Sequence, residues 1–288
     1  MKSLTVSAPA KVNLFLQVLG RRRDGFHELL TVFHRISLKD RLTLKKIQGP
    51  EFRLRTTHPK LKRISENLIY KAYRELHRVR GWKGGVEVFL KKNIPISAGL
   101  GGGSSDAAHF LLAMNRLFNL HLSRQTLSRI GAKLGSDIPF FIDQINQAIG
   151  TGRGEKIKPL PMKGRLWFVL VVPHFWISTA LVYKKLKAAA LTRISRDATI
   201  TSAFSGDWKK GNFGHFLRND LFLTSSRLKP ELKRFDMLFE QVGARQRLMS
   251  GSGPSMFSIH KSKREARRIA RLLRYRKPSA DVFVCHTY

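Results

Sequence analysis

Apolar positions along the chain follow two periods. Segments that alternate or run apolar, at Leu4–Val6, Asn13–Leu19, Arg41–Lys45 and Val86–Leu90, read as strands. Helical spacing interleaves with them. Asn67 to Val79 follows Ser65 and Glu66 and carries Leu68, Ala72 and Leu76 on one side. Ser105 to Phe118 places Ala108, Leu111, Leu112 and Asn115 together, and Ser123 to Leu134 starts on a capping serine and stops at Gly135. The second half repeats the alternation. Leu166–Val172 reads as a buried strand, Thr179–Ala190 as a helix, and Pro230–Val242 as a helix with proline at its start and Gly243 at its end. Arg247–Ser250 and Ser255–His260 read as strands around Gly251, Ser252 and Gly253. Ser262–Arg274 lines up Ala266, Ile269, Ala270 and Leu273 as one stripe, and Asp281–Cys285 is the last strand. The expectation is an α+β chain in two lobes, dividing near residues 155–165 into 1–160 and 161–288.

Composition narrows the class. With 288 residues and 42% hydrophobic content the chain has material for one large core or two modest ones. The longest uninterrupted apolar run, Leu166–Val172, is too short to cross a bilayer, and the first residues lack the apolar stretch of a signal peptide. One cysteine, Cys285, forms no internal disulfide, so a cytoplasmic location is expected. Charge is the anomaly: 54 Lys and Arg stand against 19 Asp and Glu, a net of +35. That excess suggests nucleic acid first. No helix-turn-helix, zinc-ligand spacing or RNA-recognition signature accompanies it, and the basic residues are spread along the chain, as on solvated faces. Gathering of anionic small molecules is a further reading.

The densest chemistry is the run Pro95, Ile96, Ser97, Ala98, Gly99, Leu100, Gly101, Gly102, Gly103, Ser104 and Ser105, placed between a predicted strand and a predicted helix. Glycines let a backbone approach phosphate closely, and the free amides at a helix start supply donors and the positive end of its dipole. A Walker loop requires a lysine after the glycines, and none follows. A dinucleotide loop requires a third glycine in register and a later acidic residue; the glycine is missing in every frame, and no Asp or Glu occurs from Ala107 to Ser136. Three further clusters are rich in polar groups. Lys11 and Asn13 start an apolar strand and share one face, followed by Asp24, Gly25, Phe26, His27 and Glu28. Asp137 lies between Gly135 and the apolar Ile138–Phe141, where a carboxylate could accept a proton from an alcohol. Ser250 to Gly253 is either a second anion-binding turn or a tight hairpin.

Taken in this order, the clusters resemble the GHMP kinase superfamily, over about residues 6 to 285. The carriers are Pro9 to Leu16 with Asp24 to Leu29, the glycine run continuing to Ala108, Leu134 to Phe140, Gly152 to Glu155, and Met249 to Pro254. The resemblance implies a two-lobed fold, with an N-terminal lobe like ribosomal protein S5 and a ferredoxin-like C-terminal lobe. It implies ATP-dependent phosphorylation, with Mg2+ accompanying the nucleotide. The segment at Asp24–Leu29 points to the 2-hydroxyl of a cytidine-diphosphate-linked methylerythritol, an intermediate of the non-mevalonate route to isoprenoids. By position, Asp137 resembles the general base and Lys11 its cationic partner. Pro95 to Ser105 would hold the triphosphate and Asn67 the adenine. Asn13, Phe26 and His27 would line the cytidine side, with Thr179 and Tyr183 as further substrate contacts. Phe26 stands where the family more often has tyrosine, which keeps ring stacking without the hydroxyl. Homoserine- or mevalonate-type kinases, or a basic nucleic-acid binder on the same fold, are the alternatives. Neither membrane nor nucleic acid is expected as a partner.

Overall fold

The computed structural model describes residues 2–61, 63–160, 164–186, 216–276 and 278–288. Two very long strands open the chain, β1 (Ser3–Arg21) and β2 (His27–Ile47), joined by a turn with Gly25 at φ 85°. The hydrophobic pattern marked only pieces of them. Pro9 interrupts the pattern of β1 but removes one ladder donor without ending the strand. In β2 the buried polar residues Thr31, His34 and Arg35 hide the apolar run.

Two compact units are present: Met1–Ala10, Leu38–Ile96 and Gly101–Ile145 form the first, and Lys11–Ser37, Ser97–Leu100 and Asn146–Tyr288 the second. In the first, the strands run in the order β3 (Phe52–Thr56), β4 (Gly85–Lys91), β2, β1. Against them lie α1 (Leu68–Val79), α2 (Gly102–Leu117), α3 (Arg124–Leu134) and the short α4 (Ile138–Ile142). The predicted helices are present, and their caps explain their starts. Asn67 Oδ1 accepts the Ile69 amide at 2.9 Å, and the Ser123 hydroxyl accepts the Thr126 amide at 3.1 Å. Leu76, Phe110, Met114, Ile130, Phe140 and Phe141, all on these helices, are buried.

In the second unit, β2 pairs antiparallel with β5 (Gln147–Gly152), which pairs with β6 (Lys156–Pro159), while β1 pairs in parallel with the two-residue β8 (Arg218–Asn219). A separate antiparallel sheet runs in the order β11 (Ala280–His286), β7 (Trp167–Pro173), β10 (Met256–His260), β9 (Arg247–Met249). Its helices are α5 (Thr179–Lys185), α6 (Phe222–Leu228), α7 (Glu231–Gln241) and α8 (Lys263–Tyr275). The predicted stripe Ala266, Ile269, Ala270 and Leu273 is wholly buried, packed with Val169, Val171 and Phe239. Of the helix expected over Thr179–Ala190, Thr179–Lys185 is helical and residues 187–190 lie outside the described residues. Mixed α and β content in two sheets is the expected α+β class. No helix among the described residues is long and apolar enough to cross a membrane.

Candidate active site

Lys11 and Asn13 lie where β1 is buried on both faces, and their side chains are buried with it. An ammonium in such a place needs compensation. Lys11 Nζ donates to Asn13 Oδ1 at 2.7 Å and sits 5.1 Å from the Phe33 ring centroid. Asn13 Nδ2 donates to Thr31 Oγ1 at 2.8 Å, and that hydroxyl donates to the Phe15 carbonyl at 2.7 Å. The lysine therefore reaches its position through a chain of bonds that fixes the rotamer of each member.

The same strand holds the glycine run. The Lys11 amide donates to the Leu100 carbonyl at 3.0 Å. Ser250 Oγ donates to the Gly99 carbonyl at 2.9 Å and accepts the Asn13 amide at 3.3 Å. Ser97, Gly99 and Gly101 have φ of 52°, 75° and 66°, so every second residue of the run is left-handed. The segment at Ser250–Gly253, left open between anion site and hairpin, is the turn joining β9 to β10, and it supports the glycine run from behind. Asn219 Nδ2 fastens it, donating to the carbonyls of Met249 and Gly251 at 2.7 Å each.

An aromatic and cationic group lies in the same unit. His27 and Tyr183 have ring centroids 5.2 Å apart, and the Arg153 guanidinium sits 4.7 Å from the Phe26 ring, which is 52% exposed. Partial burial, with the neighbouring Arg21 adding, lowers the pKa of the His27 imidazole from its ordinary value. Arg22 bonds Glu28 at 2.7 Å, and Glu28 Oε1 accepts the Gly152 amide at 3.0 Å, which ties this turn to β5. Thr179, at the start of α5, exchanges a hydroxyl bond with Ser252 at 2.7 Å.

In the first unit the glycine run becomes α2, whose N-cap, Gly101, has no capping side chain, so its first amides point outward from the helix. Asp137 precedes α4 and does not cap it. Its turn lies against the start of α2, for a Cβ on Gly135 would stand 3.6 Å from Ser104 Oγ. Gly131 makes this close approach possible, since its own Cβ would collide with Ile138 at 2.4 Å. Asn67 is the cap of α1, its Oδ1 committed to the Ile69 amide.

The structure thus brings Lys11, Asn13 and the Gly99–Leu100 backbone together, His27 with Tyr183, Thr179 with Ser252, and the Asp137 turn with Ser104. Thr31, Arg153 and Asn219 are missing from the sequence reading, because each acts through a partner remote in the chain. Ser250 entered it only as the start of the Ser250–Gly253 turn, without its bond to Gly99.

The GHMP kinases N terminal domain matches residues 67–144. A 4-diphosphocytidyl-2-C-methyl-D-erythritol kinase of Moorella thermoacetica is 41% identical over 286 residues, covering 98% of this chain and 99% of that protein. The enzyme of the same name from Bacillus cereus strain B4264 is 38% identical over 258 residues, 89% of this chain and 88% of its own. A crystal structure of a 4-(cytidine 5'-diphospho)-2C-methyl-D-erythritol kinase superposes with a TM-score of 0.83 at 34% identity, covering 98% of each chain. At this identity over nearly the whole of both chains, the chain belongs to the 4-diphosphocytidyl-2-C-methyl-D-erythritol kinases of the GHMP kinase superfamily.

Proposed function

We propose that this protein transfers the terminal phosphoryl group of ATP to the 2-hydroxyl of 4-diphosphocytidyl-2-C-methyl-D-erythritol. The observation that carries the reading is the glycine run, seated by Lys11 and Ser250 and opening into an uncapped helix start. Phosphoryl transfer asks the protein mainly for positioning and charge stabilisation. The amides of Gly101 to Ser105 hold the triphosphate. The carboxylate of Asp137 accepts the proton of the 2-hydroxyl as that oxygen bonds to the γ-phosphorus and the bond to the β-phosphate oxygen breaks, releasing ADP. Lys11 supplies the compensating positive charge. Asn67 faces the adenine, and Phe26, His27, Asn13, Tyr183 and Thr179 hold the cytidine diphosphate, with Arg153 reinforcing the Phe26 ring.

Among the described residues no cluster of three or more His, Cys, Asp or Glu could hold a metal ion by itself. Mg2+ carried on a nucleotide characteristically keeps its waters and takes few protein ligands. Ser104 and Asp137 are the oxygen-bearing side chains that would face it. When bound, the ion neutralises charge on the β- and γ-phosphate oxygens.

The test is ADP release with the cytidine-diphosphate substrate against methylerythritol phosphate lacking cytidine, in the wild type and in Asp137→Ala. Turnover should require the cytidine moiety, and Asp137→Ala should lose about 100-fold or more of kcat while still binding ATP. Near-wild-type turnover in the variant removes Asp137 as the base, and equal use of both acceptors removes the substrate assignment.

A further inference from the structure

The glycine run leaves β4 through Lys92, Asn93 and Ile94 and enters α2, and a buried charge cluster joins these two stems. Lys92 Nζ bonds Asp106 Oδ2 at 2.9 Å and also bonds Asp40 Oδ2. Asp40, on β2, further accepts the backbone amides of Asn93 at 2.5 Å and Ile94 at 2.8 Å, the last two residues before Pro95. One carboxylate therefore grips the incoming backbone, and the ammonium carries that restraint to a second carboxylate on α2. The side chains of Lys92, Asp40 and Asp106 are 3%, 0% and 4% exposed. A Cβ on Gly102, the first residue of α2, would come 3.0 Å from Lys92 Nζ and 2.9 Å from Ile94 Cγ2, so the first turn rests directly on the cluster.

As a stabilising device the cluster is poorly balanced. Two carboxylates share one ammonium, and Asp106 Oδ1 makes no hydrogen bond among the described residues. Burying charge so incompletely matched opposes folding, and an uncharged isostere at this position would avoid the penalty. What the carboxylate adds is geometric: it fixes the direction in which the start of α2 points.

We infer that Asp106 is a positioning residue for the nucleotide, holding the amides of Gly102 to Ser105 at the angle at which they meet phosphate, through its bond to Lys92. The inference rests on the assignment of the glycine run to ATP.

The test is steady-state kinetics of the full chain with Asp106→Asn, varying ATP at saturating alcohol substrate, with a direct ATP titration alongside. The variant should show a KM for ATP roughly tenfold higher than wild type, with kcat within about twofold and the KM for the alcohol unchanged. Asp106→Ser, smaller and uncharged, should give the same ratio of variant to wild-type KM and serves if the amide is not tolerated. A ratio near one, or a loss confined to kcat, overturns the inference and leaves the ATP assignment standing. Failure of the wild type to bind ATP overturns both.

Discussion

Gly99 offers the sharpest test of how the glycine run is held. Its φ is 75°, and a Cβ there would lie 2.3 Å from the Ser250 carbonyl oxygen and 3.1 Å from that of Gly253. Ordinary contact begins near 3.4 Å, so in Gly99→Ala the run must move from the β9–β10 turn by about 1 Å. The left-handed backbone alone costs about 1–2 kcal/mol for a residue with a Cβ. The displacement also breaks or weakens the Ser250 bond to the Gly99 carbonyl and the Lys11 bond to the Leu100 carbonyl, each worth about 1 kcal/mol net. If ATP must restore the wild-type position, it does so at the expense of about 2–4 kcal/mol, an increase of roughly 30- to 1000-fold in KM. ADP-release kinetics read the KM, and thermal melting reads how much strain the fold absorbs. Gly103→Ala is the control: it is helical, its Cβ would meet only Leu68 Cδ1 at 3.4 Å, and alanine favours a helix by about 0.5–1 kcal/mol. Its Tm should hold or rise, so any loss of ATP affinity there reports the approach of phosphate rather than strain. A KM for ATP within about threefold of wild type in Gly99→Ala, with Tm unchanged, would refute the claim that contact with Ser250 sets the phosphate-binding position.

Other outcomes follow from the buried charges and the net charge. Lys11→Met removes the cation and leaves Asn13 Oδ1 without its 2.7 Å donor; kcat should fall by about 100-fold or more, and a loss under threefold would reject the role of Lys11. Asp106, raised from 3.8 to about 7 by burial, contributes stability below pH 3.8 that is lost as pH rises through 7. Urea unfolding should therefore find Asp106→Asn more stable than wild type at about pH 8, by an amount on the order of a few kcal/mol, and equal to it near pH 4. An equal difference at both pH values would contradict this. With a net charge of +35 and two anionic substrates, kcat/KM should fall several-fold as KCl rises from about 50 to 500 mM, whereas a flat profile would confine the charge to a solvated surface.

Much of the α+β framework was legible because local chemistry decides it. Ser123 and Ser262 accept helix-start amides as caps, Gly135 and Gly243 end helices, and the spacing of Ala266, Ile269, Ala270 and Leu273 assigns one face of α8 to the core. The long strands were not, since Pro9 and the buried polar residues of β2 break the alternation on which a strand is recognised, and β3, β5 and β6 are short segments whose pairing supplies their stability. The same division runs through the site. The glycine run, Lys11, Asn13, His27 and Asp137 stand out in the chain because their residue types are unusual in their immediate surroundings. Thr31, Asn219 and Arg153 do not, because a hydroxyl, an amide or a guanidinium becomes significant only beside its partner.

The sequence by itself determined most of the helices and singled out the residues of unusual type, since capping, periodicity and backbone freedom are properties of a few neighbouring residues. The tertiary structure decided what holds that chemistry in place. Ser250 meets Gly99, and Asp40 meets Lys92 and Asp106, only after strands far apart in the chain have paired, and hydrogen bonds and buried charges act over distances that sequence separation does not record.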